Sequence, residues 1–191
     1  MPSCFVGMKK RCLLMGVLLA SCSREQAPAV RSDAEVLHVA KASAAAAFER
    51  LSAELGKAMA EGGPVHAIPV CSSMAEGLTA EVAAEHGVKM VRLSDRPRNP
   101  AQRAKGDDLA AMEAMKSHPK PQLVHSDDGS AVVRLPIVLS NPVCLKCHGG
   151  ADDLDEATRG VLKALYPEDQ AKGYSLNDLR GIWRIEVPAV E

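Results

Sequence analysis

The stretch Asn141-Pro-Val-Cys-Leu-Lys-Cys-His-Gly149 contains the pattern around which the rest of the chain is organised. Within it, Cys144 and Cys147 are three positions apart and His148 follows directly, which is the spacing of a c-type haem attachment site. Two thiols at this spacing can each form a thioether to one edge of a porphyrin, and the next imidazole then lies beside the iron. The stretch therefore predicts one covalent haem c, attached through Cys144 and Cys147, with His148 as an iron ligand.

Two other chemistries use a pair of cysteines at this spacing. A structural zinc ion needs four ligands, and no second Cys or His pair at short spacing accompanies Cys144 and Cys147. A disulfide or redox-active pair is the other alternative, because the chain carries the features of an exported protein. Neither alternative gives a role to His148, so the sequence favours haem attachment.

The start of the chain has the features of a bacterial export signal. Three basic residues at 9–11 precede an apolar run over 12–20 that is too short to span a membrane. The run ends in Leu19-Ala-Ser-Cys22, which resembles a lipobox, so Cys22 is predicted to become a lipidated N-terminus. An ordinary signal peptide that leaves Cys22 free is the alternative.

These features predict three parts: a signal peptide over 1–21, a lipidated tether over 22–31 and a haem domain over 32–191. The residue after Cys22 is Ser23 and not Asp, which favours a periplasmic protein anchored to the outer membrane. Loss of residues 1–21 removes three basic and no acidic residues, so the formal charge changes from −1 to −4. That charge argues against a nucleic-acid partner.

Hydrophobic periodicity and turn residues predict a mixed α+β order. Helices are expected over 32–61, 74–86, 106–116 and 155–165, and strands over 88–93, 122–125, 131–139 and 181–187. Ser32 and Glu35 form a capping box at the first helix, and Gly62-Gly63-Pro64 ends it. Its buried face is predicted to contain the larger apolar residues Leu37, Ala44, Phe48, Leu51, Leu55 and Met59.

Cys71 is the cysteine that export and haem attachment leave unexplained. It follows a short apolar segment over 65–70 and is predicted to lie at the N-terminus of the second helix, where the pKa of a thiol falls. The residues after His148 contain no Met, His or Cys, so a second strong iron ligand must come from earlier in the chain. The candidates are Cys71, Met59, Met74, Met90, Met112, Met115, His38, His66, His86, His118 and His125.

Four stretches together carry a family resemblance: Ala67-Ile-Pro-Val-Cys71, Val91-Arg-Leu-Ser-Asp-Arg-Pro-Arg-Asn-Pro100, Cys144-Leu-Lys-Cys-His-Gly149, and Tyr166-Pro with Gly173-Tyr and Leu179-Arg-Gly181. They resemble a c-type haem family with a PAS-like fold that was formerly classed as a domain of unknown function. The resemblance implies a five-stranded antiparallel sheet with flanking helices. It also implies that Cys71, after a short apolar strand, is the iron ligand opposite His148. The segment 101–106 departs from the pattern of that family.

Several arginines crowd the Arg-Asn-Pro stretch, and haem propionates are carboxylates that arginine can pair with bidentately. Arg92 or Arg98 is therefore predicted to meet a propionate, and a solvated loop with ordinary charges is the alternative. Asn99 and Pro100 are expected to shape the loop.

The sequence leaves the use of the haem open. No Ser-His-Asp set, paired carboxylates or phosphate loop is evident, so an enzyme is not expected and any chemistry belongs to the iron. The first hypothesis is an exported monohaem, cytochrome-like protein that passes electrons to a redox partner. The second is a redox or gas (NO, CO or O2) sensor module that acts through a signalling partner. A helical cytochrome is a third, which the predicted strands disfavour.

Overall fold

The computed structural model of the protein describes residues 1–2 and 30–190. Most of the predicted signal peptide and most of the tether, including Cys22, lie outside the described residues. Four helices are described: α1 (Asp33–Glu85), α2 (Gly106–Ser117), α3 (Leu145–His148) and α4 (Glu156–Leu165). The strands are β1 (Lys89–Leu93), β2 (Gln122–His125), β3 (Ala131–Val138) and β4 (Leu179–Val187).

The strands form one antiparallel sheet in the order β1-β4-β3-β2. The predicted α+β class, with an antiparallel sheet, flanking helices and a long N-terminal helix, is confirmed. The five strands that the resemblance implied are not found, since the described residues form a sheet of four. The segment 65–70, expected as a short apolar strand before Cys71, is helical.

A kink divides α1 into two limbs, 33–61 and 64–85. The capping box is confirmed, because Ser32 Oγ accepts from the backbone of Glu35 and the Glu35 carboxylate accepts from the backbone of Ser32. Gly62 and Gly63 leave helical geometry, and Gly63 has a φ of 63° that only glycine adopts without strain. The second limb begins at Pro64, where a proline costs little because a first-turn N–H has no helical partner.

The second limb returns to the first, and both pack on the sheet. Arg50 and Glu85 form an ion pair at 2.6 Å, and Val82 shares a buried cluster with alanines of the first limb and with β1, β3 and β4. The predicted buried face of α1 is partly wrong, because Phe48 is 63% exposed whereas Ala40 and Ala47 are fully buried. Small side chains let the helix approach its neighbours closely. No helix among the described residues has both the length and the apolar character to cross a bilayer.

One end of the sheet brings three connections together. There β1 and β3 finish and β4 begins, with Leu93 opposite Ile182 and Val138 opposite Leu179. Gly181 is needed at this end, because a Cβ atom there would lie 2.5 Å from the Leu93 carbonyl oxygen. The end of β3 leads directly into the Cys-x-x-Cys-His stretch, so the sheet fixes where that stretch lies.

Candidate functional site

The Cys-x-x-Cys-His stretch folds as a short 3-10 turn, Pro142–Cys144, followed by α3. Asn141 starts it, since its Oδ1 accepts from the backbone N–H of Val143 at 2.9 Å. Gly149 ends it at a position where a Cβ atom would collide with the side chain of Asp153. The stretch is therefore a compact loop that presents Cys144, Cys147 and His148 on a single turn.

The imidazole of His148 is held by the backbone of a second loop. Its Nδ1 lies 2.8 Å from the carbonyl oxygen of Ala171, and a carbonyl only accepts, so Nδ1 carries the proton. Backbone bonds from Gly173 to Gly149 (2.7 Å) and from Tyr174 to His148 (3.0 Å) fasten the two loops together. Nε2 is consequently the unprotonated nitrogen, and an unprotonated imidazole nitrogen is able to ligate a metal.

Burial lowers the pKa of His148 well below its ordinary value, and the guanidinium groups of Arg180, Arg98 and Arg92 lower it further. The hydrogen bond to Ala171 acts in the opposite direction. The ring is therefore neutral at pH 7, which is the protonation state that ligates a metal.

The two thiols of the loop are free and face different apolar clusters. Cys144 packs against Leu139, Ala171 and Tyr174. Cys147 packs against Ile68, Leu154 and Leu162, and burial raises the pKa of its thiol. Each thiol is therefore in an apolar environment, and the two environments are separate.

Cys71 lies in the middle of the second limb of α1, and its expected position at a helix N-terminus is wrong. The reason is that Pro64 and Pro69 are both accommodated within this limb, so the helix starts before Cys71 instead of after it. Burial raises the pKa of the Cys71 thiol, and only Arg92 and Arg98 lower it. The predicted fall in its pKa is therefore also wrong.

Cys71 is nevertheless close to the loop. Ile68, one helical turn before Cys71, packs in the same cluster as Cys147. A charge on Cys71 also raises the pKa of Cys147. Two elements far apart in sequence thus bring Cys71 and the haem-attachment pattern into one region.

Arg98 joins three parts of this region. Its Nη2 donates to the carbonyl of Cys147 at 2.5 Å and lies 3.4 Å from the carbonyl of Ala171. Its Nε is 3.3 Å from a carboxylate oxygen of Asp169, whose side chain is 1% exposed. Asp169 also accepts from the backbone N–H of Ala171 at 2.8 Å. Arg98 and Asp169 therefore hold the carbonyl that orients His148.

Arg92 and Arg180 complete a group of three guanidiniums around the loop. Both are half-buried, and burial lowers the pKa of each. Arg92 lies 5.7 Å from the centre of the Trp183 ring system, and Arg180 lies 5.6 Å from the ring centre of Tyr174. The Tyr174 ring meets that of His148 edge-on at 6.3 Å.

Most other candidate iron ligands lie in the core or at the surface of the protein. Met90, Met112 and Met115 are buried in the core, and His66 and His125 pair with Glu61 and Asp33 at the surface. His38 and His118 are exposed. The described residues contain no cluster of three or more His, Cys, Asp or Glu that could hold a metal ion.

The Arg-Asn-Pro stretch is mainly structural. Asn99 caps the 3-10 turn Pro100–Gln102 through its Oδ1, as expected of a residue that shapes the loop, and its amide donates to Glu76 at 2.9 Å. Arg96 donates to the Lys172 carbonyl, and Arg103 donates to the Gln170 side chain at 2.9 Å.

Sequence reasoning missed four contributors to the site: Asp169, the carbonyl of Ala171, Tyr174 and Arg180. Tyr174 and Arg180 lie within the Gly-Tyr and Leu-Arg-Gly stretches that carried the family resemblance, so a signal for these two was present. Asp169 and Ala171 belong to a loop without a recognisable pattern, and only the fold brings them to His148.

Comparison with known proteins links the chain to one family. The family model described as Tll0287-like matches residues 22–188. The fold is similar to that in the crystal structure of the cyanobacterial heme-protein Tll0287, with a TM-score of 0.59 and 20% identity over 83% of this chain and 95% of that chain. No curated protein has significant sequence similarity to the chain.

Proposed function

The chain belongs to the Tll0287-like family, and on that premise we propose that it is a monohaem c protein that carries electrons. Cys144 and Cys147 attach the porphyrin, and His148 and Cys71 are the axial ligands of the iron. The observation that carries the proposal is His148, whose Nδ1 is occupied by the Ala171 carbonyl while Nε2 remains available beside two free thiols. A solved structure of similar fold is named as that of a heme-protein.

The residues present fit a haem better than a single metal ion. Cys71, Cys144, Cys147 and His148 share one region, yet no cluster among the described residues is tight enough for a metal ion. A group as wide as a porphyrin can lie between ligands that are too far apart to share one small ion. The buried Tyr174 hydroxyl and Arg180 Nε have no partner among the described residues, which supports a polar group of the cofactor nearby.

The protein's own residues would tune the iron. Haem supplies one-electron chemistry when it is bound, and thiolate ligation stabilises the ferric state. Arg98 also donates to the Ala171 carbonyl, which accepts the hydrogen bond from His148 Nδ1. Because the carbonyl is shared, the hydrogen bond from His148 is weaker and the imidazole is a poorer electron donor. The balance between Cys71 and Arg98 would set the reduction potential.

The remaining parts of the proposal concern the location and the partner. We propose that residues 1–21 are removed, that Cys22 carries the lipid, and that the protein works in the periplasm at the outer membrane. Export supports haem c, because bacteria attach this cofactor outside the cytoplasm. The proposed partner is a redox protein, with no nucleic acid involved.

The test is electron paramagnetic resonance of the ferric, haem-loaded protein beside the variant Cys71→Ser. We expect a low-spin thiolate-type signal that the variant loses. The control is Ser72→Ala, which changes the neighbouring exposed residue and should leave the signal intact. A haem-loaded Cys71→Ser protein with the unchanged signal would show that Cys71 is not a ligand.

A sensing role is the second candidate, favoured by the helix that carries Cys71. Pro69 lies inside α1 and cannot donate the hydrogen bond to the carbonyl of residue 65, so the helix is weakened two residues before Cys71. A weakened helix would allow Cys71 to move away from the site, and a haem held there by His148 would then be able to bind a gas. Rapid binding of CO by the reduced protein would favour sensing, and absence of CO binding would favour electron transfer.

A further inference from the structure

The charges around His148 do not balance within the described residues. Arg92, Arg98 and Arg180 all act on His148, but the buried carboxylate of the group, Asp169, forms its ion pair with Arg98. Glu76 influences Arg92 from the surface, where its carboxylate accepts from Asn99 and Gln102. Two guanidiniums therefore lack a direct carboxylate partner in the described part of the chain.

Arg180 has the clearest deficit of partners. Its Nη1 donates to Ser94 Oγ at 2.9 Å, but its Nε is buried and has no partner among the described residues. The hydroxyl of Tyr174, whose ring lies beside Arg180, is likewise buried and unpaired in the described part of the chain. A buried polar group that is left unsatisfied destabilises the protein, and more so when the group is charged. A bound polar group is therefore expected here.

Arg98 is not expected to bind this polar group. Its Nε is also buried without a hydrogen bond among the described residues, but it lies 3.3 Å from a carboxylate oxygen of Asp169, and its Nη2 donates to the carbonyls of Cys147 and Ala171. Arg92 has no hydrogen bond or ion pair among the described residues and is held only over Trp183. Two uncompensated guanidiniums and two propionates, the carboxylates that every haem c carries, match in number and in chemistry.

We propose that Arg180 and Arg92 bind the two haem propionates, and that the Tyr174 hydroxyl donates to the propionate held by Arg180. The inference rests on the proposed haem and adds residues that bind its carboxylates. Arg98 becomes a positioning residue for His148, acting through the Ala171 carbonyl. The Leu179-Arg-Gly181 stretch thereby acquires two roles, since Arg180 binds a propionate and Gly181 lets β4 approach β1.

The test is resonance Raman spectroscopy of the haem-loaded protein, in which the propionate bending band reports hydrogen bonding to the carboxylates. We expect this band to shift in Arg180→Gln and in Arg92→Gln, with the axial-ligand signal in electron paramagnetic resonance retained. The reduction potential should fall in both, because loss of a nearby positive charge favours the ferric state. Arg184→Gln, in the same strand but paired with Asp108, is the matched control and should leave band and potential unchanged.

Arg98→Gln separates the two roles, because it should alter the axial-ligand signal and leave the propionate band in place. A haem-loaded Arg180→Gln protein with an unshifted band overturns the inference. Should that variant fail to accumulate, Arg180→Lys and Tyr174→Phe replace it, and unshifted bands in both have the same meaning. A wild-type protein that contains no haem would instead refute the proposed function, so the two failures are distinguishable.

Discussion

Two groups of buried and half-buried arginines, one on the sheet and one at its end, differ in how their charge is compensated. On the sheet, Arg134 and Arg184 lie directly opposite each other on β3 and β4, and like charges in that arrangement repel. Asp108 of α2 lies between them, 2.6 Å from Arg134 and 3.4 Å from Arg184. Glu186 adds a second carboxylate, 3.6 Å from Arg184.

At the end of the sheet lie the three guanidiniums of Arg92, Arg98 and Arg180, and the buried carboxylate there, Asp169, forms its ion pair with Arg98. Both groups carry the desolvation penalty of buried charge, but among the described residues only the group on the sheet has a carboxylate partner for each arginine. A self-compensated group stabilises the fold, and a group with unpaired cations is suited to an anionic ligand. The same residue type thus has a structural role in one place and, in our proposal, a binding role in the other.

The largest effect is expected from breaking the compensated group with Asp108→Asn. The substitution leaves Arg134, whose side chain is 9% exposed, without its carboxylate. Removing one partner of a buried pair costs about 3–5 kcal/mol in the free energy of unfolding. Urea denaturation followed by circular dichroism measures the loss, while the haem spectrum should stay unchanged. Asp107→Asn, in the same helical turn but exposed, is the control and should lose less than about 1 kcal/mol.

An intermediate effect is expected at the other group from Gly181→Ala. The new Cβ atom would lie 2.5 Å from the Leu93 carbonyl oxygen, so β1 and β4 must separate beside Arg180. Overpacking of this kind costs about 1–3 kcal/mol of stability. The propionate band should also move, unlike in Asp108→Asn. Gly160→Ala in α4 meets no atom within 4 Å and serves as the control; equal stability of the two variants would contradict the expectation.

The smallest effect is expected from Glu186→Gln, which removes the outer carboxylate of the sheet group. Glu186 is 31% exposed and pairs with Lys89 at 3.0 Å as well as with Arg184. Exposed ion pairs contribute about 0–1 kcal/mol, so the urea midpoint should barely change. A loss as large as that of Asp108→Asn would mean that the compensation is shared by both carboxylates and does not depend on Asp108 alone.

Much of the fold was predictable because its signals are local. The bounds of β2 match the prediction, and those of β1, α2, β3 and α4 differ from it by one residue. Sequence reasoning failed at 65–73, where the resemblance implied a short apolar strand before Cys71 and the second helix was predicted to begin only at residue 74. Packing of Ile68 against α4 and the Cys147 loop holds that segment in a helix, and no local pattern reports such a contact.

The site was predictable only where its residues form a motif of consecutive positions. The Cys-x-x-Cys-His spacing identified Cys144, Cys147 and His148 as a candidate site, and the resemblance added Cys71. The Ala171 carbonyl could not be found this way, because a backbone acceptor carries no residue signature. The sequence identified Arg98 as a candidate site residue but could not give its role, because its partner Asp169 lies 71 positions away in the chain.

By itself, the sequence determined the α+β class, the element order and the candidate attachment site, because helix caps, strand alternation and thiol spacing act over a few residues. The tertiary structure alone decided which alanines of α1 are buried, which carbonyl orients His148, and which arginines keep a carboxylate partner. Charge compensation depends on distances between residues that are remote in the chain. For this reason, arginines that the sequence does not distinguish differ in the folded protein in whether they have a carboxylate partner.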